Sequence, residues 1–101
     1  MSINWQDREI KTRNCEIVIR AMLNKWLEDD NDWMGEVVFL NYPPVLYLRM
    51  EIPYLNSLPD LKLRQVGDFV TGICSITGVV CSKGFKTSKN SIEYKLYIPF
   101  S

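Results

Sequence analysis

Histidine is missing from all 101 residues. Its absence excludes Ser-His-Asp and Cys-His nucleophile systems, His-ligated metal sites and the side chain best suited to proton transfer near neutral pH. Cysteine is scarce: there are three, with no CxxC pair. An odd number without that spacing argues against a zinc ribbon, a thioredoxin-type motif and a secreted disulfide framework. Net charge is missing too, with 12 Lys and Arg against 12 Asp and Glu, so a surface that wraps phosphates all round is not expected. The longest uncharged stretch, Phe69 to Ser82, is rich in Gly, Thr and Ser and falls short of the ~20 apolar residues a bilayer span needs. The opening MSINWQDREIKTRN is too polar for a signal peptide. A cytoplasmic location and no membrane partner are the expectations.

Apolar material, by contrast, is plentiful. The hydrophobic share is 47%, with three Trp, five Tyr and four Phe, which suits one packed interior and a single domain over 1–101. Charge is polarised along the chain: residues 1–60 hold ten acids against six bases, and 61–101 hold six bases against two acids.

Periodicity predicts a helix over 14–28, where Cys15, Val18, Ile19, Met22, Leu23 and Trp26 recur at helical spacing behind Asn14 as N-cap. Residues 2–13 read as a fraying turn. Were they helical, Ile3, Ile10 and Ile17 would form a second line on the opposite side, too polar between for a coiled-coil seam. After Asp29–Asp32 the period changes to two. Strands are expected at 36–41 and 45–52 around Tyr42-Pro43-Pro44, with Leu46, Leu48, Met50 and Ile52 facing one way and Val45, Tyr47, Arg49 and Glu51 the other. Residues 54–67 fit a short helix capped by Ser57 and ended by Gly67, or a loop with a brief strand at Leu61 to Arg64. A second hairpin is expected from 69–76 and 78–82 around Thr77-Gly78, then a loop GFKTSKN and a last strand at 91–98. The expected fold is α+β: an N-terminal helix packed on a curved antiparallel sheet of four to five strands. That outline is similar to a cystatin-like roll. A small β-barrel is the alternative, with Gly72, Gly78 and Gly84 at bends.

No catalytic apparatus, cofactor or metal is expected. GVVCSKG (78–84) has Lys83 before the last glycine and leads into strand-like sequence, so it is not a phosphate loop. Asp30, Asp32 and Gly35 match part of a calcium loop, but Met34 and Asn41 stand where ligands are required.

Two surfaces remain. Glu28, Asp29, Asp30, Asp32 and Glu36 put five carboxylates around Trp33 with no base among them. Acids at a helix C-terminus oppose its dipole, by ~0.3–1 kcal/mol each where exposed. The expected function is therefore a non-enzymatic protein-interaction module of the inhibitor, immunity or antagonist type, binding a basic protein partner through this acidic surface. An exposed Trp33 would strengthen that reading, and a buried one would staple the loop to the core. The alternative is a small nucleic-acid-binding barrel using Lys83, Phe85, Lys86, Lys89, Lys95 and Tyr97. A small-molecule pocket lined by Met22, Trp26 and Met50 is a third possibility. Homodimerisation through an open sheet edge is a further expectation. In the expected second hairpin Cys74 falls opposite Cys81, as two small buried apolar side chains.

Overall fold

The computed structural model describes residues 5–30, 32–41 and 43–99. The chain runs α1 (Trp5–Asp29), β1 (Met34–Asn41), β2 (Pro44–Glu51), α2 (Asp60–Thr77), β3 (Val80–Cys81), β4 (Phe85–Ser88) and β5 (Ser91–Tyr97). One open antiparallel sheet has the order β1-β2-β5-β3, with β4 also on β5. Together β3 and β4 form one edge strand interrupted at 82–84, where Ser82 still donates its amide to the Lys95 carbonyl at 2.9 Å. The helices cover one face of the sheet. This is the expected α+β architecture, enlarged by a second helix, and the open sheet overturns the barrel alternative.

Helix α1 begins well before Asn14, which lies in mid-helix rather than at a cap. Its inward stripe continues backwards through polar residues. Arg8 and Thr12 are buried, Arg8 donates to the Ile98 carbonyl, and the Thr12 hydroxyl donates to the Arg8 carbonyl at 2.7 Å. Anchored polar groups can hold a helix as firmly as leucines, yet they leave no hydrophobic period to read. Ile10 and Ile17 do point outward, while Ile3 lies outside the described residues.

The larger departure is α2. The expected hairpin over 69–76 and 78–82, the short helix ending at Gly67 and the brief strand at Leu61 to Arg64 give way to one helix from Asp60 to Thr77. Pro59, not Ser57, is its N-cap residue. Val66, Val70 and Ile73, at i, i+4 and i+7, are its buried stripe. Local preference pulled the other way: β-branched residues crowd 66–77, and Gly67 and Gly72 each cost a helix ~1 kcal/mol relative to Ala. Burial of three branched side chains at about 1.5–3 kcal/mol each outweighs that penalty. Gly78 ends the helix in the left-handed conformation, φ 78°, its amide donating to the Cys74 carbonyl at 2.9 Å.

Between helices and sheet lies the core, including Ile19, Leu23, Leu46, Leu48, Met50 and Leu96. The inward set Leu46, Leu48, Met50 and Ile52 is fully buried, as the alternation requires. Gly35 permits close packing, since a Cβ there would come within 2.7 Å of Met50 Sδ. Of the residues named for a small-molecule pocket, Met50 is buried, and Trp26 stacks on Phe69 at 4.9 Å and tilts against Trp33 at 5.7 Å, so both are engaged in packing. No helix among the described residues is long and apolar enough to cross a membrane.

Candidate functional site

At the acidic end, α1 carries Glu28 and Asp29 into its last turn with no basic residue there. Both are exposed, against the helix dipole. Beyond the helix the charge is partly answered from within the chain. Lys62 of α2 places Nζ 3.8 Å from Asp30 and 3.4 Å from Asp32. The Asp32 amide donates to Asp30 Oδ1 at 3.2 Å. A hydrogen bond from Tyr54, with Lys62 adding to it against partial desolvation, holds the Asp32 carboxyl below the ordinary carboxylate range. Trp33 is 4% exposed, so of its two expected roles it takes that of staple. Its indole N–H has no acceptor among the described residues, which leaves apolar area and the Trp26 contact to hold it in place. Glu36 leaves the group altogether: it sits in β1 on the opposite side of the sheet from the helices, beside Arg49.

The basic set separates as well. Phe85, Lys95 and Tyr97 stand on the uncovered face, Lys86 has the opposite parity, and Lys83 and Lys89 lie in connections. Lys95 Nζ lies 5.8 Å from the centroid of the Tyr97 ring. These residues do not form one stripe along a closed wall, which is what a single-strand-binding barrel needs.

A different surface unites the two ends of the chain. Among the described residues no helix lies over the face of the sheet turned away from α1 and α2, although Val45 on that face is only 4% exposed. The ladder register sorts this face into rows. Glu36 of β1 lies beside Arg49 of β2, Arg49 beside Glu93 of β5, and Glu93 beside Phe85 of β4. One row along, Val38 meets Tyr47 and Tyr47 meets Lys95. In the row after that, Leu40 meets Val45 and Tyr97 meets Val80; continuing the β2–β5 register by one step sets Val45 beside Tyr97. The face is therefore charged towards the acidic end of the molecule and apolar towards the other. Val38, Leu40, Val80 and Phe85 are 41, 51, 38 and 70% exposed. A shallow depression of about 400 Å³ bordered by Glu36, Val38, Leu40, Tyr47, Arg49 and Glu93 joins the two halves. Among the described residues, the ion pairs belong to Glu16 and Lys62, and none uses Arg49, although Arg49 has a carboxylate on each neighbouring strand.

Both edges of this sheet are guarded. On the β1 side, Arg20 of α1 donates to the Val37 carbonyl at 2.6 Å and is held by Glu16 at 2.8 Å. Arg13 lies 3.7 Å over the Phe39 ring and also pairs with Glu16. On the far side the strand is broken at 82–84 and carries lysines. Charge on an edge and interruption of an edge both oppose strand addition. The expected edge-to-edge dimer therefore lacks an inviting edge.

The three cysteines are free thiols. Cys74 and Cys81 come together, as expected, but from the end of α2 and from β3 rather than from a hairpin, and they are not the buried pair expected: Cys74 is half-buried and Cys81, on the edge strand, is exposed. Burial first, then the hydrogen bond with Cys81, pushes the Cys74 thiol up to about 11, and burial also raises Cys15. Thiols shifted in this direction are poor nucleophiles at neutral pH. No group of three or more Cys, Asp or Glu side chains converges on a metal-sized space among the described residues.

Compared with protein-family models, with curated proteins and with solved structures, the chain matches none. The functional reading therefore rests on geometry.

The residues that stand out were only half legible. Alternation had already put Val45, Tyr47, Arg49 and Glu51 together on one face. The overlooked signal was β1: Val37 and Phe39 face the core, yet Val38 and Leu40 on the other side are apolar too. A strand apolar on both faces is characteristic of sheets covered on both faces.

Proposed function

We propose that this is a non-enzymatic protein-interaction module whose contact surface is the uncovered face of the sheet. The observation that carries the reading is the apolar half of that face: Val38, Leu40 and Val80 are exposed and Tyr47 and Tyr97 half-buried in adjoining register positions around the buried Val45, with no helix among the described residues above them. Water is a poor partner for such a surface. Each Å² of apolar area removed from it returns about 25 cal/mol, and soluble monomers rarely leave extended apolar patches open without a use for them. The charged half supplies orientation: Glu36, Arg49 and Glu93 reward a partner whose charges match and penalise one whose charges do not. An inhibitor, immunity or antagonist role is compatible with a small chain that works by covering something else.

The test is comparative capture by the full chain and by Leu40→Asp, at a position 51% exposed, with folding checked by circular dichroism. The expected result is loss of the bound partner by the variant with its fold retained. Equal capture by both proteins would overturn the assignment of this face.

The acidic end supports a second reading, contact with a basic partner, because Glu28 and Asp29 keep exposed charge at the negative end of α1. Lys62 already occupies Asp30 and Asp32, so Glu28→Lys with Asp29→Lys is the discriminating variant. It should weaken basic-partner binding and make what remains less sensitive to salt. Single-stranded nucleic acid is the less supported alternative; a flat fluorescence-anisotropy titration at low salt removes it.

A further inference from the structure

We propose that the occupant of the uncovered face is the same face of a second copy of this chain, the two sheets stacking about a twofold axis that runs along the strands between β2 and β5. The proposal rests on the reading of this face as the contact surface and names its partner. Edge-to-edge association is opposed by the arginines of α1 over β1 and by the break at 82–84, so the sheet meets a second copy through its face rather than through an edge.

The register specifies what such an axis brings together. Rotation about it exchanges β2 with β5 and β1 with the β3–β4 edge while keeping each row opposite itself. Arg49 of each copy then faces Glu93 of the other, giving two ion pairs across the contact. Tyr47 faces Lys95, whose ammonium its ring can receive. Leu40 faces Val80, and Tyr97 lies over Val45, which is already 4% exposed in the single chain and adds little area to the contact. Glu36 meets Phe85 at the rim, where its carboxylate keeps water. No two like charges oppose one another. An in-plane axis across the strands is worse: it lays Glu51 on Val45, a carboxylate on apolar surface with no cation. Arg49 stands between two acids without an ion pair in the single chain, so its guanidinium is available to a carboxylate arriving from outside.

The size of the contact predicts its strength. Four strands about 4.8 Å apart, with about 3.3 Å per residue along each, give a footprint of roughly 400–450 Å² per copy. With side-chain relief the pair buries on the order of 1,000 Å², the lower end of specific interfaces. The dimer should be reversible and of micromolar strength rather than obligate, its sheets about 10 Å apart and crossed by about 30°.

Sedimentation velocity of the full chain from about 1 to about 500 µM, a range suited to a contact of this size, should show the mass rising from one chain to two. Arg49→Glu and Glu93→Arg should each weaken association at least tenfold. Mixing the two single variants should restore it, because the mixed dimer regains both cross-copy pairs, and the double variant should dimerise alone. Rescue on mixing separates a pair between copies from a pair within one chain, which mixing leaves unchanged. If either charge variant fails to fold, Val80→Asp, at an exposed position, provides an independent loss of association. A wild-type chain that stays monomeric throughout, a dimer indifferent to charge reversal, or absence of rescue on mixing would each overturn the proposal. A monomeric chain that binds another protein only when Leu40 is intact would overturn self-pairing and leave the contact face standing. A monomeric chain for which Leu40→Asp changes nothing would remove both.

Discussion

The two faces of this sheet are made by the same strands yet obey different rules. On the covered side, Leu46, Leu48, Met50, Ile92 and Leu96 are closed in by Ile19, Leu23, Val66, Val70 and Ile73 from the helices. On the uncovered side, a row of charges adjoins apolar residues with no helix among the described residues above them. The covered face is internally complete, with its apolar atoms packed and its strands closed by a helix at the β1 edge. The open face is complementary within a strand pair but unfinished as a surface. Side-chain identity alone does not separate the two: valine, leucine and tyrosine occur on both, and what differs is whether a helix has been laid across them.

Substitutions should therefore have opposite signatures on the two sides. The largest effect is expected from Leu48→Ala, a side chain with no exposure. It removes buried methyl groups and leaves a cavity, and thermal or urea unfolding should show a loss of about 2–5 kcal/mol. A value inside the noise would mean that the covered face is not the core.

Arg20→Ala should come next. It removes a charged hydrogen bond to the Val37 carbonyl and the ion pair with the nearly buried Glu16. About 1–2 kcal/mol of stability should go, the Arg side chain being half exposed. The bared β1 edge should also aggregate more readily on mild heating, read by light scattering. An unchanged aggregation threshold would show that the arginine does not guard the edge.

On the open face, Leu40→Ser should shift unfolding by about 0.5 kcal/mol or less, as surface changes do, while association with the partner falls. This is the sharpest contrast with Leu48→Ala, one variant losing stability and the other losing binding. A large stability loss at Leu40 would show that the face is already packed in the single chain.

The smallest effect belongs to the acidic end. The Asp32 carboxyl is lowered by Tyr54 and Lys62, so its interactions favour the folded state above the unfolded-chain value near ~3.9 and are lost as pH falls through the lower folded value. Asp32→Asn should remove a small component of acid sensitivity below about pH 4, seen by comparing pH-dependent unfolding midpoints with those of the parent. Identical profiles would show that the Tyr54 and Lys62 contacts are not maintained in solution.

The outward signal in β2 was legible because strict alternation from Val45 to Ile52 leaves little choice of face. The acidic run was legible as a string of charges but not as a surface, because Lys62, thirty residues from Asp32, folds back onto it, and because the strand period swings Glu36 to the other side of the sheet. Cys74 and Cys81 were paired correctly on a mistaken structure. A helix ending at Gly78 and a turn centred on Thr77-Gly78 both reverse the chain at the same place, so proximity survived although the element did not.

Sequence by itself determined the α+β class, the two-faced β2 strand, the chain reversal at Gly78 and the lack of histidine chemistry. Each follows from local period, backbone allowance or composition, which act over a few residues and need no partner. Tertiary structure alone decided that 60–77 is helical against its β-branched content, that Arg8 and Thr12 belong to the inner stripe of α1, and that one face of the sheet goes uncovered. Those outcomes depend on which surfaces meet across long separations, where burial energy exceeds the fraction of a kcal/mol per residue that local preference commands.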